Sequence, residues 1–300
     1  MLCDFAHAFP DFVAGMLQRE VQLKRSFREE TLTDMWVASL VPLKKYGVHV
    51  DLAIESETGG DLEIWFMSKR LDKALAFVIQ AKRIHCRRSS PRPGACMTKS
   101  WETHSFAHLD HPGGKGRRKG GQARDLVNAS QNTGRDLYPL YAFYSPDHVC
   151  KERGSTVQGV MLADGFDVRR RIVMGLRKRK RFKQVKALKD LFIPLSAMFC
   201  VNPWIRVRDE LLASDFVDQY ILFRLASSGV DILNIPDPDD IRKSISDALG
   251  KNSKVERTRL PTLTETIPAD IRTLISGEPH HGEETGQAQK RSRVVFVSSM

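Results

Sequence analysis

Two neighbouring segments carry polar groups whose types and spacing suit chemistry on a phosphate ester. Gly60-Asp61-Leu62-Glu63-Ile64-Trp65-Phe66 is followed by Phe77-Val78-Ile79-Gln80-Ala81-Lys82-Arg83. Strand side chains alternate with a period of two, so Asp61 and Glu63 share one face and Gln80 and Lys82 share one face of the next strand. The opposite faces hold Leu62, Ile64, Phe66 and Phe77, Ile79, Ala81, all apolar. If the strands pair, a carboxylate, an amide oxygen and an ammonium converge. Burying that group is costly without a compensating ion or partner. A hard cation, Mg²⁺ or Mn²⁺, would satisfy it through carboxylate, carbonyl and water oxygens. The matching chemistry is phosphodiester hydrolysis, with Asp61 and the main-chain carbonyl of Ala81 holding a metal that lowers the pKa of water. Lys82 would orient the hydroxide or stabilise charge growing on the phosphate. Glu63 stands evenly between a role in that site and a solvated or structural carboxylate.

The elements that must position these groups follow from periodicity. Residues 11–46 have helical spacing, first through Phe12, Met16 and Leu17, then through Leu32, Met35, Trp36 and Leu40, with Gly47 as a stop. Val48, Val50, Leu52 and Ile54 alternate with polar residues as a half-buried strand does. A turn at Thr58-Gly59-Gly60 leads into the two strands above, the second spanning 75–84. Residues 85–121 read as a long loop or irregular insertion, a length that is usually functional or mobile. A helix starts near Gln122, and residues 139–144 form a short buried strand. Strands flanked by helices argue for an α/β layered sheet. Further on, the pattern predicts a strand over 157–163, a basic helical region over 167–190 and a helix over 204–226. Helices at 241–249 and 268–276 and a final strand at 293–297 complete it, with 277–292 expected to be disordered.

Gly-x-Asp at 59–61 followed by Gln-x-Lys at 80–82 resembles the Mrr-like branch of the PD-(D/E)XK nucleases, in which Gln replaces the usual second acid. The resemblance implies a restriction-endonuclease-like mixed sheet flanked by helices. It also implies a further metal-binding Glu from the preceding helix, for which Glu30 is taken over Glu29. Glu29-Glu30-Thr31-Leu32-Thr33-Asp34, Glu57 through Phe66, Gln80-Ala81-Lys82-Arg83, a Gln122-led helix and the 139–144 strand are similar, in that order, to a group of uncharacterised microbial proteins. The likeness covers about residues 25–145, with Gly60 and Ile64 departing from the group's Ala and Trp. Gln122 is read as a hydrogen bonder at a helix start or as a group facing the site. On this resemblance the chain is expected to be a Mg²⁺-dependent endonuclease of microbial defence or DNA processing. Glu30 and Asp61 would bind metal, Gln80 would contact water or metal, and Lys82 would be the electrostatic catalyst.

Composition sets outer limits. The chain has 300 residues, 41% of them hydrophobic and 28% charged, so a collagen-like or wholly disordered chain is excluded. A net charge of +11 is concentrated in residues 115–119 and 169–189, and suggests a polyanionic partner, nucleic acid ahead of a membrane surface, with DNA preferred to RNA on the nuclease resemblance. Lys115, Arg117, Arg118 and Lys119, and the run Arg177, Lys178, Arg179, Lys180 and Arg181, are the candidate backbone contacts, against the alternative of solvated basic faces. No apolar run approaches the roughly 18 residues of a spanning helix. Neither a membrane segment nor a secretory signal is read, and the five scattered cysteines are expected to be reduced thiols of a cytoplasmic protein. Cys86, Cys96, His104, His108 and His111 are zinc-ligand types in a loop that otherwise reads as a flexible cover. The expected organisation is a nuclease core over 1–150 and a basic α+β accessory region over 151–300. A homodimer stays open, and the rival reading is a non-catalytic nucleic-acid-binding protein or interaction subunit on the same fold.

Overall fold

The structure, a computed structural model, describes residues 2–23, 27–51, 62–85, 100–113, 118–132, 135–178, 181–200, 235–252, 259–277 and 292–298. Asp61, the turn at 58–60, the helix expected over 204–226 and most of the 277–292 stretch lie outside them. Helices α1 (Leu2–Leu23) and α2 (Glu29–Leu40) open the fold, and a 3-10 turn (Val41–Tyr46) ends at Gly47. Strands β1 (Val48–Asp51), β2 (Leu62–Met67) and β3 (Ala74–Arg83) follow, then α3 (Gly121–Asn132) and β4 (Leu137–Tyr144). The second half adds α4 (Asp147–Cys150), β5 (Val160–Asp164), α5 (Gly165–Lys178), α6 (Val185–Leu188), β6 (Ile193–Pro194) and α7 (Ser196–Phe199). Helices α8 (Pro238–Asn252) and α9 (Ala269–Ser276) and strand β7 (Ser292–Val297) complete the described elements.

The molecule is α/β, built on a seven-stranded mixed sheet in the order β1-β7-β2-β3-β4-β5-β6. Beside β3, β2 is antiparallel with Leu62 opposite Ile79, and β4 is parallel with Phe143 opposite Lys82. Strands from the second half belong to the same sheet. β5 pairs with β4, and β7 inserts between β1 and β2. The boundary expected near residue 150 thus falls between two paired strands.

Both faces of the sheet are covered. On one, Phe9 and Val13 of α1, Trp36 of α2 and Ile245 of α8 pack on Ile64, Phe66 and Phe77. On the other, Leu126 of α3, Ile172 of α5 and the loop residues Phe106 and Leu109 pack on Trp65, Val78 and Phe143. The face with the polar alternation is therefore buried too, and Glu63, Gln80 and Lys82 are each less than 5% exposed. Each needs a polar partner there. The segment read as loop is packed where it is described, with Trp101, Phe106 and Leu109 in the core. Among the described residues no helix is long and apolar enough to cross a membrane.

One expectation is corrected. Cys3 and Cys200 form a disulfide and are not both reduced thiols, because α1 packs against α7 and brings positions 197 apart in sequence to a Cα separation of 4.9 Å. Spacing carries no sign of such a pairing. Cys150 is free, while Cys86 and Cys96 lie outside the described residues.

Candidate active site

An open cleft of about 360 Å³ lies at the carboxyl end of β3, walled by the start of α2, the 108–111 turn and the start of α3. Lys82 lies buried at its base. The partner that makes this burial tolerable is Glu29, in the first turn of α2, whose Oε2 accepts from Lys82 Nζ at 3.0 Å. Glu29 Oε1 accepts the backbone N–H of Arg83 at 3.2 Å. Arg83 in turn donates to Glu20 of α1 at 2.6 Å and to His85 Nδ1 at 3.1 Å.

A guanidinium only donates, so His85 Nδ1 is the acceptor in that contact. His85 Nε2 stands 3.8 Å from Glu29 Oε1, beyond a hydrogen bond. Burial pushes the Glu29 carboxyl up, but the His85 imidazole, the Lys82 ammonium and the Arg83 N–H outweigh it and hold the group down at about 2. The His108 ring stands edge-on to His85 with centroids 4.7 Å apart. Burial, helped by His85 and Lys82, lowers the His108 pKa against the pull of Glu29, which favours a neutral imidazole.

A close backbone approach fixes the opposite wall. A Cβ on Gly121 would lie 2.0 Å from the carbonyl oxygen of Pro112, so only glycine fits. Gly120 N donates to Asp110 O at 2.8 Å and Gln122 N to His111 O at 3.1 Å. This docking brings His108, His111 and Gln122 to the cleft. Gln122 Oε1 is buried with no hydrogen-bond partner among the described residues. Unpaired buried acceptors are uncommon and call for an explanation.

The residues singled out by sequence are distributed unevenly. Lys82, Glu30 and Gln122 line the cleft. Glu30 is exposed there, and burial and the Glu30 charge raise the carboxyl of Asp34, one turn further along α2. The side chain that reaches Lys82 is Glu29, which the sequence argument passed over. Gln80 and Ala81 lie behind the cleft wall, where the Gln80 amide donates to the Ala81 carbonyl at 3.5 Å. Glu63 does not line the cleft. It faces Arg135 at 3.4 Å and Arg293 at 3.6 Å, and both arginines also bind Asp270, at 2.7 and 2.8 Å. Glu63 lies opposite Val78, so about 13 Å of strand separates its position from that of Lys82 at ~3.3 Å per residue.

Among the described residues the loop histidines divide: His104 is buried against His148, with ring centroids 5.1 Å apart, while His108 meets His85 edge-on and lines the cleft with His111. Of the basic candidates, Arg118, Lys119, Arg177, Lys178 and Arg181 are exposed, and Lys115, Arg117, Arg179 and Lys180 lie outside the described residues. The two basic runs are neighbours, since a Cβ on Gly120 would touch Ile172 and Leu176 of α5 at 3.1 and 3.5 Å.

Sequence reasoning missed Glu29 as the partner of Lys82, and it missed His85. The available signal for His85 was position: ligands of open α/β sheets gather outside the carboxyl ends of the strands, and His85 stands two residues beyond β3.

The sequence profile of DUF6615, a family of unknown function, matches residues 2–300. The chain belongs to that family. No curated protein and no solved structure matches it. What this DUF6615 chain does must therefore be argued from its cleft. The donors present there fit a hard divalent cation: the carboxylates of Glu29 and Glu30 and the unpartnered Gln122 oxygen are the ligand types Mg²⁺ and Mn²⁺ take.

Proposed function

We propose that the chain is a metal-dependent nuclease acting on nucleic-acid phosphodiesters, DNA ahead of RNA, on a restriction-endonuclease-like core. The observation that carries this reading is the pair of buried Lys82 and half-buried Glu29 opening onto a cleft with a Gln122 oxygen unpartnered among the described residues and basic walls. Glu30 and Gln122 would hold the cation together with Asp61, whose place in the sequence before β2 supports that assignment. When bound, the metal supplies a water of lowered pKa and neutralises charge on the phosphate.

The remaining tasks fall to the chain itself. Lys82 presents a fixed ammonium to charge growing on the phosphate oxygens, in a buried site where it acts more strongly than in water. Glu29 holds that ammonium in place. His85 and His108 offer imidazoles at the same cleft for a proton at the leaving oxygen. Arg118, Lys119, Arg177 and Lys178 hold the polyanion backbone without reading its sequence.

Plasmid cleavage tests this reading. With Mg²⁺ or Mn²⁺ the supercoiled form should be lost, and EDTA should abolish that loss. One observation favours the rival, a non-catalytic nucleic-acid-binding protein: Gln80 and Ala81, two of the expected site groups, sit behind the cleft wall. DNA binding at low salt without cleavage in either metal would select it.

A further inference from the structure

The molecule carries a second cluster of ligand atoms, far in sequence from the cleft residues. Cys3 and His7 are one turn apart on α1, so both project from one face of the helix. Cys200 follows α7, which packs on α1. The two sulfurs and a ring nitrogen all lie within 4.8 Å of one another, with His7 Nε2 3.9 Å from Cys200 Sγ. Cys200 is buried, while Cys3 and His7 are half-buried and leave a path from solvent.

Two thiolates and an imidazole are the set a borderline-soft cation prefers, and not one for Mg²⁺. We propose that, when the Cys3–Cys200 disulfide is reduced, Cys3, Cys200 and His7 bind a Zn²⁺-class ion that fastens α1 to α7 in its place. A dithiol reductant delivers two electrons and two protons to the disulfide, becomes a disulfide itself, and leaves Cys3 and Cys200 as thiols. Binding then forms two sulfur–metal bonds and releases both thiol protons to solvent. The imidazole nitrogen of His7 is the third ligand and water takes the fourth position. The sulfurs need only part to about 3.8 Å, the tetrahedral spacing for Zn–S bonds near 2.3 Å.

The fastening has a structural consequence. α1 buries Leu2, Phe5, Phe9, Val13 and Leu17 on the sheet, and its last turns carry Glu20 to Arg83, next to Lys82. The same helix is therefore tied at one end by the cysteines and at the other to the candidate active site. The metal site does not depend on the nuclease reading.

The test uses the full chain with Cys86→Ser, Cys96→Ser and Cys150→Ser, so that no other thiol contributes. Cys150 is a weak competitor in any case, since burial pushes its thiol up to about 12. A phosphine, which is oxidised to its oxide with oxygen from water and binds zinc far more weakly than a dithiol, replaces the dithiol. Titration with Co²⁺ should give thiolate-to-metal charge-transfer absorption in the reduced chain at one ion per chain, displaced by Zn²⁺, and none in the oxidised chain. Cys3→Ser and Cys200→Ser should each weaken binding by at least about 100-fold, since even an outer-shell partner is worth 10–100-fold. His7→Ala should weaken it while leaving the oxidised chain folded by circular dichroism. Equal absorption in the oxidised and reduced chains, or none in the reduced chain, would overturn the proposal. That comparison uses one background chain in both redox states and needs no ligand variant to fold.

Discussion

Two clusters of opposite charge, each with one buried member, lie against the same sheet, and they differ in what surrounds them. Glu63, Asp270, Arg135 and Arg293 form two acids and two bases, each base within 4.0 Å of both acids. The four charges pair with one another, and Arg293 Nε, buried without a hydrogen bond among the described residues, still faces Glu63 Oε2 at 3.6 Å. Glu29 and Lys82 are likewise paired, but they open onto a cleft that also holds Arg28, His85, His108 and His111, and an oxygen of Gln122 with no partner among the described residues. A closed cluster offers no reason for a ligand to enter. An open one with further basic side chains and an unused acceptor does, and perturbed groups in a cleft are where function is sought first. A buried carboxylate alone is thus a poor guide, and its neighbours decide.

The strongest way to break this comparison is to unpair the cleft. Lys82→Met should cost a few kcal/mol, below the roughly 3–5 kcal/mol of a fully buried pair, because it leaves the half-buried Glu29 carboxylate without its cation. The double variant Lys82→Met/Glu29→Leu should recover most of the loss. Denaturant unfolding checks both, and additive losses would mean that the pair does not interact.

Acid titration probes the same pair without removing Lys82. The Glu29 carboxyl is held at about 2 in the folded chain against 4.5 when unperturbed. A depressed folded pKa contributes stability that is complete above the unfolded value and lost as pH falls from there toward 2. The contribution is roughly 3 kcal/mol at most, at 1.36 kcal/mol per pKa unit. Glu29→Gln should flatten the stability profile between about pH 5 and pH 2. An unchanged slope in that window would remove Glu29 from the account.

For the closed cluster, Glu63→Gln should cost about 1.5–3 kcal/mol, the worth of hydrogen bonds to charged groups. Chemical denaturation measures it. A neutral result would show that Asp270 alone suffices for both arginines. Smallest per residue is the surface effect. Replacing Arg118, Lys119, Arg177 and Lys178 by Ala should reduce the slope of log K against log salt by up to about 0.9 for each duplex phosphate no longer neutralised. An unchanged slope would make these residues a solvated face.

Much of this fold is legible from side-chain period alone. Alternation marks β1 through β3, and Gly47 marks a real stop, with φ +84°. The position of β7 is not legible, because pairing partners far apart in sequence leave no local trace. For the same reason the second half reads as more independent of the core than it is. In the site, Lys82 and Gln122 are readable as chemistry-bearing positions. The choice of Glu30 over Glu29 is not decidable from a helix start, since adjacent residues point about 100° apart at 3.6 residues per turn. Glu63 misleads because strand parity gives a face, not a place along the strand. Cys3 and Cys200 are beyond reach, since only the packing of α1 on α7 joins them.

The central claim is that the open cleft, and not the closed cluster, is the reactive place. Single-turnover plasmid cleavage in Mn²⁺, with Lys82→Met and Glu63→Gln compared at equal folded fraction, tests it most directly. The account predicts a fall of about 10²–10³ in rate for Lys82→Met, the cost of removing one preorganised electrostatic group, with DNA affinity largely kept. It predicts a rate within a factor of two or so of the parent chain for Glu63→Gln, as expected of a variant that changes stability alone. Loss of cleavage in Glu63→Gln with full cleavage in Lys82→Met would contradict the account.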